Sequence, residues 1–295
     1  MNARELIQRI RRIEITTRRA VEETLGGQYH SVFKGRGMDF SEVRAYAPGD
    51  EVRSIDWNVS ARTGHLHVKR FVEERELTLM LLCDLSASAD FGSGARTKAE
   101  VAAEIAALVA FSAVQNGDRV GLAIFTDEVE RFVPPRKGRR HALRIVSDIL
   151  QFRPRSPRTD LGAALTHLRR AMKRRTVAFV LSDFLDEQPR FERPLMVAAK
   201  KHDVVPIRIE DGLERTLPAL GLALLEDPET GRTVRVDLSD PRVRQRLERD
   251  GAEAAARLGR LFDKLELDHV LVRADAADYV KPLLAFFQAR ARRHG

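Results

Sequence analysis

Apolar and polar residues follow one another along this chain in two regular patterns. Runs of consecutive apolar residues, such as LMLLC at 79–83, are typical of strands buried on both faces of a parallel sheet. Between such runs, apolar residues recur at helical spacing, as in the stretch 97–115, and predict amphipathic helices. Because strands and helices alternate from residue 77 onward, the pattern predicts an α/β domain with a doubly wound, mostly parallel sheet. Ligands of such a sheet bind beyond the carboxyl ends of its strands.

The elements expected in this domain are short and closely spaced. The predicted strands are 77–84, 118–127, 129–135, 176–184, 203–211 and 268–275, of which 129–135 is expected to close a hairpin at a sheet edge. The predicted helices are 97–115, 139–150, 160–174, 193–202, 241–265 and 278–293.

Three segments stand apart from this alternation and set the domain boundaries. Residues 1–27 predict an N-terminal helix, and residues 28–76 predict a small, mostly β module. The α/β domain then spans 77–290, with a β-hairpin insertion at about 213–239. Each of the two β segments is too small to be stable alone, so we expect them to pack together as one β-rich lobe.

Composition and charge narrow the possible classes of function. The net charge of +8 could attract nucleic acid, an anionic membrane surface or an acidic protein. The arginines are scattered, as on solvated helix faces, which makes a nucleic-acid-binding protein the weaker alternative. The single cysteine, Cys83, lies inside an apolar run, and the chain shows neither a secretory signal nor an apolar run of the ~20 residues that span a bilayer. These features predict a cytoplasmic protein.

Candidate chemistry is concentrated where the predicted strands end. Asp84 ends the first strand of the α/β domain and is followed at alternate positions by Ser86 and Ser88, while Asp183 ends the fourth strand and Thr159 precedes a helix. Each of these residues alone is also compatible with a helix cap or a turn. Because strand-end loops of a parallel sheet converge, we expect the three segments to form one cluster of carboxylates and hydroxyls. Oxygen ligands without histidine or cysteine suit Mg²⁺ or Mn²⁺.

The order Asp84-x-Ser86-x-Ser88, then Thr159, then Asp183 resembles the metal-ion-dependent adhesion site (MIDAS) of von Willebrand factor A domains. That resemblance implies a Rossmann-like fold in which the three hydroxyls bind the cation directly and the two carboxylates bind it largely through water. It also implies a coordination position open to a carboxylate of a partner protein.

The wider chain resembles bacterial proteins of domain of unknown function 58 (DUF58). The segments that carry this resemblance are GRGMDFSEVRAYAPGDEVRSIDWNVSAR at 35–62 and GLALLEDPETGRTVRVDLSD at 221–240. It implies a non-enzymatic adaptor that works with a MoxR-type AAA+ ATPase in remodelling or assembling a client protein. The many charged residues of the segment 35–62 are compatible with two roles, a docking surface or a structural ion-pair network, and the sequence does not separate them.

A rim around the expected metal site is predicted to contact the partner. Arg155 and Arg158 flank the Thr159 loop and would attract an acidic ligand, and Asp160 and Phe184 complete the expected partner-binding set. The chain departs from the family pattern at Phe184, where many other relatives have glycine, and at Ala89, where methionine is common. Neither departure removes an oxygen ligand.

Two alternatives from other classes remain open. One is a Mg²⁺-dependent phosphohydrolase that uses Asp84 and Asp183, although Ser86 stands where such an enzyme would have a second acid. The other is a nucleic-acid-associated protein that uses the basic surface, which the salt dependence of binding would test.

Overall fold

The computed structural model describes residues 5, 8, 10–15, 38–73, 76–185 and 190–294. The chain divides into a small unit, Phe33–Leu77, and a large unit formed by Met1–Val32 with Thr78–Gly295. Residues 10–15 are helical, while most of the predicted helix at 1–27 lies outside the described residues. None of the helices described is both long enough and apolar enough to cross a membrane.

The small unit contains two strands and a short helix. Strands β1 (Met38–Ala45) and β2 (His67–Glu73) pair in antiparallel fashion. The helix between them, α1 (Trp57–Thr63), was not predicted from the sequence. The Asp56 carboxylate caps the start of this helix, and Gly64, at φ +74°, ends it in the left-handed conformation that glycine adopts most readily.

The large unit has the predicted alternation of strands and helices. Its strands are β3 (Thr78–Asp84), β4 (Arg119–Phe125), β5 (Val129–Arg136), β6 (Val177–Ser182), β7 (Asp203–Glu210), β8 (Leu222–Glu226), β9 (Thr233–Asp237) and β10 (Val270–Arg273). Its helices are α2 (Lys98–Gln115), α3 (Arg139–Leu150), α4 (Leu161–Ala171), α5 (Glu192–Lys201), α6 (Pro241–Lys264) and α7 (Val280–His294).

A six-stranded sheet forms the centre of the large unit, in the order β10-β7-β6-β3-β4-β5. All neighbouring pairs are parallel except β4 and β5, so β5 is the predicted antiparallel edge strand. The chain runs outward from β3 through β4 to β5, then returns to the other side of β3 with β6. The carboxyl ends of β3 and β6 therefore flank a switch point of the topology, where doubly wound folds bind their ligands.

Apolar strands covered on both faces make the core. Every residue of β6, and β3 from its second residue onward, is buried. On one face, α4, α5 and Phe262 of α6 pack against these strands, and each fully buried large apolar side chain contributes about 1.5–3 kcal/mol to folding. Cys83 is buried and free, as its apolar surroundings predict.

The hairpin β8–β9 confirms the predicted pair of strands within the α/β domain. It belongs to the large unit, and β1 and β2 belong to the small one, so the packing of the two segments into one lobe stays a prediction. The hairpin is attached to the large unit at its two ends. Leu238 at the base is buried, and Glu229 in the turn is hydrogen-bonded to Thr159 of the large unit.

Candidate metal centre

Asp84 is the centre of a buried hydrogen-bond cluster at the end of β3. Its Oδ1 accepts hydrogen bonds from the backbone N–H of Ser86 at 3.1 Å and from the Ser86 hydroxyl at 2.7 Å. The Ser86 and Ser88 hydroxyl oxygens lie 3.2 Å apart. From β6, the Ser182 hydroxyl donates to Asp84 Oδ2 at 2.7 Å. The structure thus brings together the predicted Asp84, Ser86 and Ser88 and adds Ser182, which sequence reasoning missed.

The environment of Asp84 disfavours an isolated negative charge. Burial, and next the negative charge of Asp183, raise the pKa of the Asp84 carboxyl well above its usual range, although hydrogen bonds from Ser182 and Ser86 act in the opposite direction. A cation beside the two carboxylates would favour their charged form. The pocket is therefore one that gains from a bound positive charge.

A lysine that was not predicted as a site residue lies beside Asp183. The Lys98 ammonium is 2.7 Å from Asp183 Oδ2 and 2.6 Å from Glu214 Oε1, and the lysine side chain is only 4% exposed. Burial alone would lower the pKa of Lys98, but the two carboxylates outweigh it and raise this pKa. The site thus contains one fixed cation of its own.

A small crevice, with a cavity volume of about 10 Å³, lies at the ends of β3 and β6. Its polar lining comes from Asp84, Ser88, Lys98, Ser182 and Asp183. Nowhere in the described parts of the chain do three or more His, Cys, Asp or Glu side chains form a group able to hold a metal ion. Any cation here would therefore depend on hydroxyl oxygens together with the two carboxylates, which are the hard ligands that Mg²⁺ and Mn²⁺ prefer.

The Thr159 loop lies next to the loop that carries the serines. The backbone N–H of Ala87 donates to Pro157 O at 3.0 Å, and the N–H of Asp160 donates to Thr126 O at 2.8 Å. Thr159 itself donates to the carboxylate of Glu229, from its hydroxyl at 2.8 Å and from its N–H at 3.2 Å. A residue 70 positions away in the chain, in the β8–β9 turn, thus contacts the third predicted hydroxyl.

Glu229 responds to the same environment as Asp84. Burial raises its pKa and the negative charge of Asp183 adds to the shift, although the two hydrogen bonds from Thr159 lower it. No local motif in the sequence marked this glutamate, because its partner lies in another loop.

The predicted rim residues have different environments. Arg155 is 70% exposed but already paired, through Nε to Glu130 at 3.1 Å and through Nη2 to Glu128 at 3.2 Å. Arg158 is exposed. The Asp160 carboxylate accepts a hydrogen bond from the N–H of Ala163 at 2.8 Å and so caps α4, the role that the sequence had offered as an alternative for Thr159.

Phe184 differs from its predicted place on the partner-binding rim. Its side chain is buried, and its ring lies 6.1 Å from that of Phe191 and 5.4 Å from that of Phe262. The backbone at Phe184 has φ +56°, in the left-handed region. Its large apolar side chain contributes to packing instead of a contact surface.

The fold and its crevice define a doubly wound α/β protein with carboxylates and hydroxyls at the switch point of the sheet. The chain belongs to the DUF58 family, described as proteins of unknown function, whose model matches residues 42–257. An uncharacterized protein of Mycobacterium tuberculosis is 34% identical over 291 residues, which cover 98% of this chain and 90% of that protein.

Solved structures with a similar arrangement have low sequence identity to this chain. The hypothetical protein BatB from Bacteroides thetaiotaomicron is 16% identical, with a TM-score of 0.47 over 73% of this chain and 99% of that one. A von Willebrand factor type A structure from Catenulispora acidiphila is 15% identical, with a TM-score of 0.42 over 77% of this chain and 44% of that one.

Proposed function

We propose that this protein is a non-enzymatic binding module that uses a divalent cation, Mg²⁺ or Mn²⁺, to hold a carboxylate of a partner protein. The observation that carries the proposal is the convergence of Asp84, Ser88, Ser182 and Asp183 around one crevice at the switch point, with Ser86 hydrogen-bonded to Asp84 beside it. Such a crevice offers hard oxygen ligands, and its carboxylates outnumber the one ammonium beside them.

In the proposed arrangement, the hydroxyls of Ser86, Ser88 and Thr159 bind the cation directly. Asp84 and Asp183 act through water, and this leaves an octahedral cation one exchangeable position for a partner's acidic side chain. Few direct negative ligands keep the cation electrophilic. Asp84 is suited to an indirect role, because Ser86 and Ser182 already donate to its two oxygens.

The resemblance of residues 35–62 and 221–240 to DUF58 proteins supports a MoxR-type AAA+ ATPase as partner, with the module acting as its adaptor to a client. Arg158, which is exposed, suits the role of attracting an acidic surface during approach. Arg155 is less suited, since Glu128 and Glu130 already balance its charge.

A second candidate follows from Lys98. Its ammonium lies 2.7 Å from Asp183, so it supplies a permanent positive charge at the site. Because Asp183 and Glu214 already balance this charge, a partner's carboxylate would bind here without a metal only by displacing one of them. The two candidates differ in whether chelation changes binding.

Titration calorimetry with Mn²⁺ tests the first candidate. One ion should bind per chain, and the double variant Asp84→Ala, Ser86→Ala should lose this binding, as should the isosteric Asp84→Asn, which keeps the shape of the buried site. A matched control exists on the surface, where Asp237 and Ser239 form the same Asp-x-Ser contact with hydrogen bonds of 2.9 and 2.6 Å. Asp237→Ala, Ser239→Ala should leave Mn²⁺ binding unchanged.

A second experiment tests the partner, by measuring how tightly a purified MoxR-type ATPase binds this protein with Mg²⁺ and with chelator. Chelator should abolish binding, and Arg158→Ala should mainly slow association and change its salt dependence. Equal Mn²⁺ affinity of wild type and Asp84→Asn would contradict the metal site. Unchanged binding in a chelated, folded protein would instead favour the site based on Lys98.

A further inference from the structure

The turn of the β8–β9 hairpin brings a carboxylate to the candidate metal centre. Glu229 accepts two hydrogen bonds from Thr159, one from the hydroxyl at 2.8 Å and one from the backbone at 3.2 Å. The negative charge of Asp183 also acts on this carboxylate and raises its pKa. Glu229 is therefore in direct contact with one of the residues that would bind a cation, Thr159.

The turn holds this glutamate in a defined place. The Asp227 carboxylate accepts a hydrogen bond from the N–H of Glu229 at 2.9 Å, and the Thr230 hydroxyl also donates to it. The N–H of Gly231, at φ +70°, donates to Asp227 O at 2.8 Å and closes the turn. Such a network within the turn keeps the backbone of Glu229 fixed while its side chain reaches toward Thr159.

The strands behind the turn have little packing of their own. Leu222 and Leu224 of β8 are 63% and 65% exposed, and Val234 of β9 is 59% exposed. Leu238 anchors the base of the hairpin in the core. The hairpin is thus fixed at its base and contacts the crevice through its tip, so displacement of the tip would require the rupture of few apolar contacts.

We propose that Glu229 is the chain's own carboxylate for the metal face, and that it takes the position that a partner's acidic side chain occupies in the complex. This inference rests on the proposed function, because it needs a cation with one exchangeable position. A carboxylate from the same chain has a high effective concentration, so it competes with any partner until the partner's further contacts outweigh it. The hairpin then acts as an internal competitor that raises the threshold for partner binding.

Water-proton relaxation by bound Mn²⁺ tests this assignment without a partner or an activity. With three hydroxyls and Glu229 as ligands, an octahedral ion keeps about two water positions, and Glu229→Ala should open a third, giving a relaxation enhancement about 1.5-fold higher. Acetate at tens of millimolar should then reverse the increase in Glu229→Ala and leave the wild type unchanged. Glu226→Ala is the matched control, since Glu226 is an exposed glutamate of the same hairpin.

The outcomes separate the two proposals. Mn²⁺ bound by wild type with equal relaxation in Glu229→Ala and Glu226→Ala would overturn the role of Glu229 and leave the metal site standing. No Mn²⁺ binding by any of the three proteins would overturn both. An acetate response already present in the wild type would show that the position is open, and would likewise overturn the internal competitor.

Discussion

Phe184 combines an unfavourable backbone conformation with favourable packing. At φ +56° a residue with a side chain is strained by about 1–2 kcal/mol relative to glycine. The turn persists because the N–H of Phe184 donates to the Ser182 hydroxyl at 3.0 Å and because the ring is buried against Phe262 and Phe191. The packing thus offsets the strain of a phenylalanine at this backbone position.

Two substitutions at this residue separate backbone strain from packing. Phe184→Ala should lower the free energy of unfolding by about 3–5 kcal/mol, because it removes a buried ring. Phe184→Gly removes the same ring but relieves the backbone, so it should be more stable than Phe184→Ala by about 1 kcal/mol. Urea denaturation of both variants measures the difference. At an ordinary backbone position glycine is the less stable of the two, and that order would contradict the account.

At the scale of the element, the joint between α5 and β7 is a single buried residue, His202. Its N–H donates to Ala198 O at 2.8 Å, and neither ring nitrogen has a hydrogen-bond partner among the residues described. Burial, followed by the positive charges of Lys201 and Arg175, lowers the pKa of His202 to about 4. The folded protein therefore holds this histidine neutral at a pH where the unfolded chain protonates it.

This pKa shift predicts a loss of stability in mild acid. The contribution of His202 is fully present above its unfolded pKa of about 6.5 and is lost as pH falls toward 4, on the order of 2 kcal/mol between pH 7 and pH 4.5. His202→Leu should remove that part of the pH dependence, while His65→Leu, at an exposed histidine, should not. Urea denaturation midpoints measured at several pH values test this prediction. If the midpoints of wild type and His202→Leu fell in parallel as pH is lowered, the assignment to His202 would be contradicted.

Periodicity predicted the elements of the large unit because each depends on local spacing. The continuous apolar runs form β3 and β6 in the structure, and the segment with helical spacing forms α2. The helix α1 was missed, since WNVSART lacks a regular apolar stripe, although Asp56 before it and Gly64 after it are ordinary cap residues. The two cap residues are the sequence signal that marks this helix.

The candidate site divides in the same way between local and distant residues. Asp84, Ser86 and Ser88 were found because two-residue spacing is visible in the sequence. Lys98 and Glu229 were not, because their contacts with Asp183 and Thr159 join residues 85 and 70 positions apart. Only the folded chain determines which loop reaches which.

At the scale of the whole molecule, Lys98 links three distant segments at one point. Its ammonium lies at the start of α2 and contacts Asp183 after β6 and Glu214 after β7. Nearby, the Asp211 carboxylate accepts hydrogen bonds from the backbone N–H of Ser93 at 2.8 Å and from its hydroxyl at 2.5 Å. The loops around the crevice are thus held together by charge as well as by packing.

Lys98→Met should separate the structural role of this lysine from the role of a bound cation. In chelator the variant leaves Asp183 without its buried cation, so its free energy of unfolding should fall by about 3–5 kcal/mol. Removal of a like charge beside the site should at the same time raise Mn²⁺ affinity about tenfold, and saturating Mn²⁺ should restore much of the lost stability by mass action.

Lys201→Met is the control, since the Lys201 ammonium donates instead to the carbonyl of Met172 at 2.7 Å. Denaturation with and without Mn²⁺, together with calorimetry, measures both effects. If Lys98→Met bound Mn²⁺ no better than wild type and gained no stability from it, the ammonium would be the only cation that this site uses, and partner binding would have to be explained without a metal.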